Sequence, residues 1–260
     1  MKKLIVLASF LSLFAFNAMA HQAEMNKNDG QMKANKMEKW ILMEEVYPEP
    51  PEKAMELVDW FTKVRMPDVV SREGFKSAKL YEAGLPEVIT GRGKYMAMYF
   101  IETDDIEKTM QLWREKEAEA KEKGRMTDLA VFLWRDVLYK FMTERDSGKK
   151  LKKKEHWIVL TETNADPKRV DAYNDWYNNI HLPDALETPD YVSARRYFSD
   201  DVRDGRGKYF SVYEVETDDM DKTMDSRKAL IAKQFKAGRS SDTYRRVWGF
   251  TLYKLIAEVK

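Results

Sequence analysis

The apolar positions of this chain change period several times, and the order of those changes occurs twice. Residues 40–46 (W-I-L-M-E-E-V) form a short apolar run with strand character, broken by Pro48, Pro50 and Pro51. From 52 to 70 the apolar residues Met55, Val58, Phe61 and Val64 recur at helical spacing. Pro67 is expected to end or kink that helix, because proline disfavours α geometry in the residue before it. A strand over 75–81, a Gly-Arg-Gly-Lys turn at 91–94 and an aromatic strand over 95–101 follow. Thr103 or Asp104 caps a second helix that stops at Gly124, and residues 129–142 close the set as an apolar strand. The predicted order is βαββαβ.

Residues 157–256 repeat this plan. Trp60, Pro67, Asp68 and Tyr81 match Trp176, Pro183, Asp184 and Tyr197. Thirteen of twenty positions are identical between 91–110 and 205–224 (G-R-G-K-Y…E-T-D-D…K-T-M). At the place of His181, however, the first copy has Arg65. The chain thus reads as a first repeat over 39–142, a polar Lys-rich linker over 143–155 and a second repeat over 156–257. A βαββαβ unit gives an antiparallel sheet with both helices on one face, and its other face needs a cover. The fold class expected is α+β: two tandem ferredoxin-like repeats closing on each other as an eight-stranded pseudo-dimeric α/β barrel. Within 209–213, alternation puts Phe210 and Val212 on one side and Tyr209, Ser211 and Tyr213 on the other. The first set is assigned to the helix layer and the second to the barrel interior. Both faces are largely apolar, so the inverse assignment stays open.

Composition then narrows the setting. Lys2 and Lys3, an apolar run over 4–16 and Ala18-Met19-Ala20 have the form of an export signal over 1–20, cleaved near Ala20. The run is too short to span a bilayer comfortably, so no stable membrane insertion is expected. Residues 21–38 are polar and read as a flexible leader. A periplasmic or secreted location follows, without disulfides, because the chain has no cysteine. Basic and acidic residues number 45 and 44, and losing Lys2 and Lys3 with the signal shifts the formal charge from +1 to −1. Mixed charge of this kind offers no global field for nucleic acid. Three histidines, with no pair at ligand spacing, point to no metal and no cofactor.

Candidate chemistry gathers in W-Y-N-N-I-H-L-P-D, residues 176–184, and the strand that follows. His181 is the acid/base candidate, since an imidazole titrates near neutral pH, and Asp184 is placed to orient it. A cationic cap at a helix C-terminus is the competing role for His181, and a turn or cap role competes for Asp184. Trp176, Arg196, Tyr197, Tyr209, Tyr213 and Trp248 are the candidates for lining a binding pocket, with core packing the alternative for the aromatic ones. The H-L-P-D element with S-A-R-R-Y after it resembles the EthD-like branch of the dimeric α/β-barrel superfamily. The resemblance is close over 157–256 and looser over 40–142. It implies a pocket between sheet and helices for a small hydrophobic or aromatic molecule, with His181 at the family's histidine position. The implied activity is cofactor-independent isomerase, cyclase or lyase chemistry. A ligand-binding or carrier module is the alternative, and a haem-binding protein of the same superfamily is a further one. Homo-oligomers also fit the resemblance.

Overall fold

The structure is a computed structural model that describes residues 36–84, 92–153, 155–202 and 205–260. The export signal expected over 1–20, nearly all of the leader over 21–38, and Gly91 lie outside the described residues. So does the side chain of Trp248. Residues 38–260 form one unit.

Eight strands close into a barrel in the order β1-β3-β2-β8-β5-β7-β6-β4. They are β1 (Glu38–Pro48), β2 (Phe75–Ala83), β3 (Tyr95–Thr103), β4 (Ala130–Asp146), β5 (His156–Ala165), β6 (Tyr191–Phe198), β7 (Tyr209–Glu216) and β8 (Tyr244–Val259). Strands β1–β4 and β5–β8 each form a βαββαβ unit, all neighbours antiparallel. The units join at two seams, β2 with β8 and β4 with β6. The expected α+β barrel of two ferredoxin-like repeats is therefore the observed architecture. Strand β4 runs past Met142, and Thr143 to Asp146 pair with β6. Part of the segment read as a linker is thus seam, because the edge of β6 needs a ladder partner.

Strand alternation sorts side chains into three layers. Ile41, Met43, Met96, Met98 and Tyr139 meet Ile158, Leu160, Phe210, Val212 and Tyr253 inside the barrel. Leu42, Tyr99 and Trp113 belong to the helix layer of the first repeat, and Val159, Tyr209 and Tyr213 to that of the second. This inverts the face assignment made for β7. Phe210 and Val212 point into the barrel, and Tyr209 and Tyr213 face the helices. Hydrophobicity alone could not separate two buried faces.

The turns G-R-G-K hold the two halves together across the barrel. Arg92 and Arg206, both buried, lie against Glu45 and Glu162: Arg92–Glu162 is 2.6 Å, Arg206–Glu45 2.8 Å, Arg92–Glu45 2.9 Å and Arg206–Glu162 2.8 Å. The amides of Gly93 and Gly207 donate to Glu45 and Glu162. A Cβ on Gly93 would come within 2.6 Å of the Val46 nitrogen, and one on Gly207 within 2.7 Å of that of Thr163. Only glycine lets these amides reach the carboxylates. Tyr139 and Tyr253 donate across the halves to the carbonyls of Gly207 and Gly93. Two cations, two anions and their donors neutralise one another, which is what buried charge requires.

Each repeat's first helix contains a π-turn. In the first, α1 (Ala54–Trp60) passes through Phe61–Arg65 into α2 (Met66–Val70). After α3 (Ile106–Glu122), the second repeat repeats the device: α4 (Val170–Trp176), the π-turn Tyr177–His181, then α5 (Leu182–Leu186). Met66 and Leu182 donate five residues back, to Phe61 and Tyr177. Pro67 and Pro183 follow at once. A proline lacks an N–H and crowds the carbonyl four residues before it, and the widened turn relieves both problems. The helix therefore continues to Val70 instead of stopping at Pro67. The last helix, α6 (Met220–Lys236), is tied to α5 by Gln234, which donates to the Asp184 carbonyl.

Candidate functional site

The π-turn puts His181 at the wall of a cavity of about 310 Å³ between α4–α5, α6 and the first half of β8. Thr161 and Thr163 of β5 and Tyr213 of β7 contribute from the sheet. Trp176 lies 4.9 Å from the imidazole, centroid to centroid, and Tyr177 4.6 Å edge-on, with Tyr213 at 6.5 Å. Trp176 also stacks on Tyr244 at 5.3 Å and 17°. Its indole donates to the carbonyl of Arg239, 2.9 Å away, which ties the loop after α6 to this wall. The hydroxyls of Thr161, Tyr177 and Tyr213 form a chain under the ring, at 3.3 and 2.9 Å.

No hydrogen-bond partner of the His181 ring is found among the described residues. Burial first, and then the cations Arg227, Arg246 and Arg196, push its pKa down to about 3. The ring is therefore neutral near pH 7, held in place by aromatic contacts with both nitrogens uncommitted. The same burial drives the Tyr213 phenol well above its ordinary range and the Tyr191 phenol up to about 12.

Asp184 lines the cavity but does not orient His181. Its carboxylate accepts two bonds from the Arg239 guanidinium, at 2.8 and 2.5 Å, and its carbonyl accepts from Gln234. The planar fork of an arginine matches a carboxylate better than one imidazole N–H does. Of the pocket candidates, Trp176 and Tyr213 reach the cavity. Arg196 does not: it lies fully buried beneath the π-turn, donating to Asn178 and Asn174, with its guanidinium 4.1 Å from the Tyr177 ring. Tyr209 packs on Tyr173 in the helix layer, and Tyr197 lies inside the barrel against Phe141 and Phe210. Trp248 pairs with Glu162 through its backbone.

Sequence reasoning missed Arg227, Tyr191, Tyr244, Arg246 and Phe250. Arg227 lies on the inward face of α6, one turn from Met224 and Ile231, where a helix normally places an apolar residue. That break in the apolar stripe was the available signal. Phe250 carries φ 50°, a left-handed conformation rare for a bulky residue, and its ring forms part of the cavity wall. Asp136, its counterpart in the first repeat, has φ 59°.

The arrangement suits a compact organic molecule. The volume, about 310 Å³, lies at the low end for small-ligand sites. Among the described residues no cluster of His, Asp and Glu could hold a metal, and no helix is long and apolar enough to cross a membrane.

Comparison with known proteins places the fold. No protein-family model and no curated protein matches the sequence. Among solved structures, an anthrone oxidase-like protein superposes with a TM-score of 0.51 at 14% identity, covering 86% of this chain and 93% of its own. A candidate monooxygenase from Fusobacterium nucleatum gives 0.49 at 12% identity, covering 84% and 91%. A chlorite dismutase variant from Candidatus Nitrospira defluvii gives 0.49 at 11%, covering 85% and 93%. The chain has the dimeric α/β-barrel fold, with both halves of the barrel supplied by one polypeptide.

Proposed function

We propose that this protein takes up one small hydrophobic or aromatic molecule in the cavity of its second repeat, and that the neutral His181 ring takes a proton from it and returns it. The reaction would be an isomerisation, cyclisation or lyase step that needs no redox cofactor. One observation carries this reading: the His181 ring is fixed by Trp176 and Tyr177 at a cavity wall, yet neither nitrogen is committed among the described residues. A merely structural residue in that place looks different, as the fully engaged Arg65 illustrates. The same reading takes the two units as a tandem duplication and assigns the H-L-P-D element to the EthD-like branch. It also takes residues 1–20 as an export signal, with the mature chain periplasmic or secreted.

Native mass spectrometry of protein purified from its source would identify the bound compound. Turnover of that compound should then fall about 10²–10⁴-fold in His181→Gln, the usual loss for a missing acid/base. Full turnover in that variant would sink the proton-transfer role. Release of the compound unchanged by the native protein would make this a carrier.

A further inference from the structure

We infer that the ligand of this cavity carries an anionic oxygen, a carboxylate or an enolate, and that Arg227 is its seat. The inference rests on the second-repeat cavity being the ligand site and adds the ligand's charge. Elsewhere in the chain, buried arginines face acids or amide oxygens. Arg65 meets Glu44 and Glu117, Arg92 and Arg206 meet Glu45 and Glu162, and Arg196 has Asn174 and Asn178. Arg227 is only 3% exposed, and among the described residues no carboxylate lies within salt-bridge distance of it. Its one recorded hydrogen bond is a long contact of 3.5 Å to Gln234.

Arginine cannot shed its proton to escape burial. An unpaired buried charge is costly, so a counter-charge from outside the chain is the economical solution. A second observation points the same way. Tyr191, 1% exposed, lines the same cavity, and its hydroxyl has no hydrogen-bond partner among the described residues. Arg227 acts electrostatically on both Tyr191 and Tyr213, which puts the cation and the idle donor in one neighbourhood. Arg246, an exposed residue of the cavity lining, adds a second cation with no acid within salt-bridge distance among the described residues. The ligand then sits with its oxygens toward Arg227 and Tyr191 and its apolar body along Trp176, Tyr244 and Phe250.

Benzoate and benzamide are probes of the same size and opposite charge character. Titrated into the full chain and followed by calorimetry, benzoate should bind at least tenfold more tightly than benzamide. Arg227→Gln should weaken benzoate by about 10- to 100-fold, the scale of a lost charge-assisted hydrogen bond. It should leave benzamide within about twofold. Arg227→Lys should retain part of the preference, and Tyr191→Phe should weaken benzoate several-fold. Equal binding of both probes, unaffected by Arg227→Gln, would overturn the anion seat and leave the cavity reading intact. Binding of neither probe at millimolar concentration would remove both. A ligand-free measurement decides independently. Arg227→Gln should melt at or above the native temperature, because it removes an unneutralised charge. A marked loss of stability would make Arg227 structural and end the proposal.

Discussion

The two halves of this barrel share a helix-to-sheet framework and fill it in opposite ways. In the first repeat the space below the π-turn is solid with charge. Arg65 binds Glu44 at 2.5 Å and Glu117 at 2.6 Å, Tyr99 donates to Glu44, and Arg72 and Arg135 add bonds to Glu117. Trp113 lies against the Arg65 guanidinium at 4.9 Å. In the second repeat Tyr213 keeps the place of Tyr99, but the ions and the indole around it have changed. His181 stands for Arg65, Thr161 for Glu44, Ile231 for Glu117 and Arg227 for Trp113. Both acids and the large indole are gone, so the same framework encloses a cavity with an excess of cations. What persists is the scaffold: Asp68 and Asp184 both bind the arginine after the long helix, and Trp60 and Trp176 both donate to that arginine's carbonyl. The first repeat keeps a cavity of about 380 Å³ beside this cluster, lined by Asp68, Phe75, Trp113 and Arg125; what the four exchanged side chains decide is whether the space directly below the π-turn is filled or open.

The largest test of that contrast is stability. Arg65→Ala strips buried Glu44 of its 2.5 Å partner, leaving only Arg135 at 3.6 Å, and should cost about 3–5 kcal/mol, as breaking a buried ion pair does. His181→Ala should cost less, about 1–2 kcal/mol, because the ring holds aromatic contacts with Trp176 and Tyr177 but no polar bond. Urea denaturation of the two variants makes the comparison, and equal losses would erase the distinction. Next comes a transplant. His181→Arg alone should destabilise by about 2–3 kcal/mol, since it adds a cation where no acid waits. Combining it with Thr161→Glu and Ile231→Glu should recover most of that loss while closing the cavity. A triple variant no better than the single one would show that more than these positions separates filled from open.

The third test uses pH. His181 is faced by Arg227 from α6, Arg246 from β8, Arg196 from β6 and Tyr213 from β7, and its native pKa is about 3 against an ordinary value near 6.5. The unfolded chain thus takes up a proton that the native ring refuses. His181 favours the folded state above pH 6.5, and that contribution drains away as pH falls toward 3. Melting temperature should fall less steeply over this window in His181→Gln than in the native protein. Parallel curves would mean that the imidazole titrates normally. The smallest effect is the pair Trp60→Phe and Trp176→Phe. Each loses one indole bond and should cost about 1 kcal/mol. Only the second should alter benzoate binding.

Much of the fold was legible because it is written twice. A motif that recurs with thirteen of twenty positions retained announces a repeat, and a βαββαβ unit with two apolar faces requires a cover. The facing of β7 was not legible, since Tyr209 and Phe210 are equally at home in either buried layer. G-R-G-K was read as a turn, and its arginine's burial against Glu45 and Glu162 went unseen because the acids lie on other strands. The contrast between copies pointed to His181, while Trp176 and Tyr213 came from their aromatic character and their places on helix and strand. Carrying that contrast into the last helix, where Arg227 replaces Trp113, would have found the cation as well. Arg196 misled through its position beside the aromatic strand residues, where local pattern gives no hint of two asparagines waiting on α4 and the π-turn.

The two seams of the barrel also set an order of assembly. Strand β2 pairs with β8 from Ala78–Val259 to Ala83–Tyr253, so an edge formed early in the chain stays bare until the last of the eight strands arrives. Contacts between such distant parts of a sequence are slow to find. Until then the apolar barrel interior and an unpaired strand edge are both open to other molecules. Deleting residues 255–259 would hold the protein in that state, and edge-to-edge association of the kind that seeds aggregates should follow. The closing strand works as a fastener whose late arrival makes the nascent chain, more than the finished barrel, the vulnerable species.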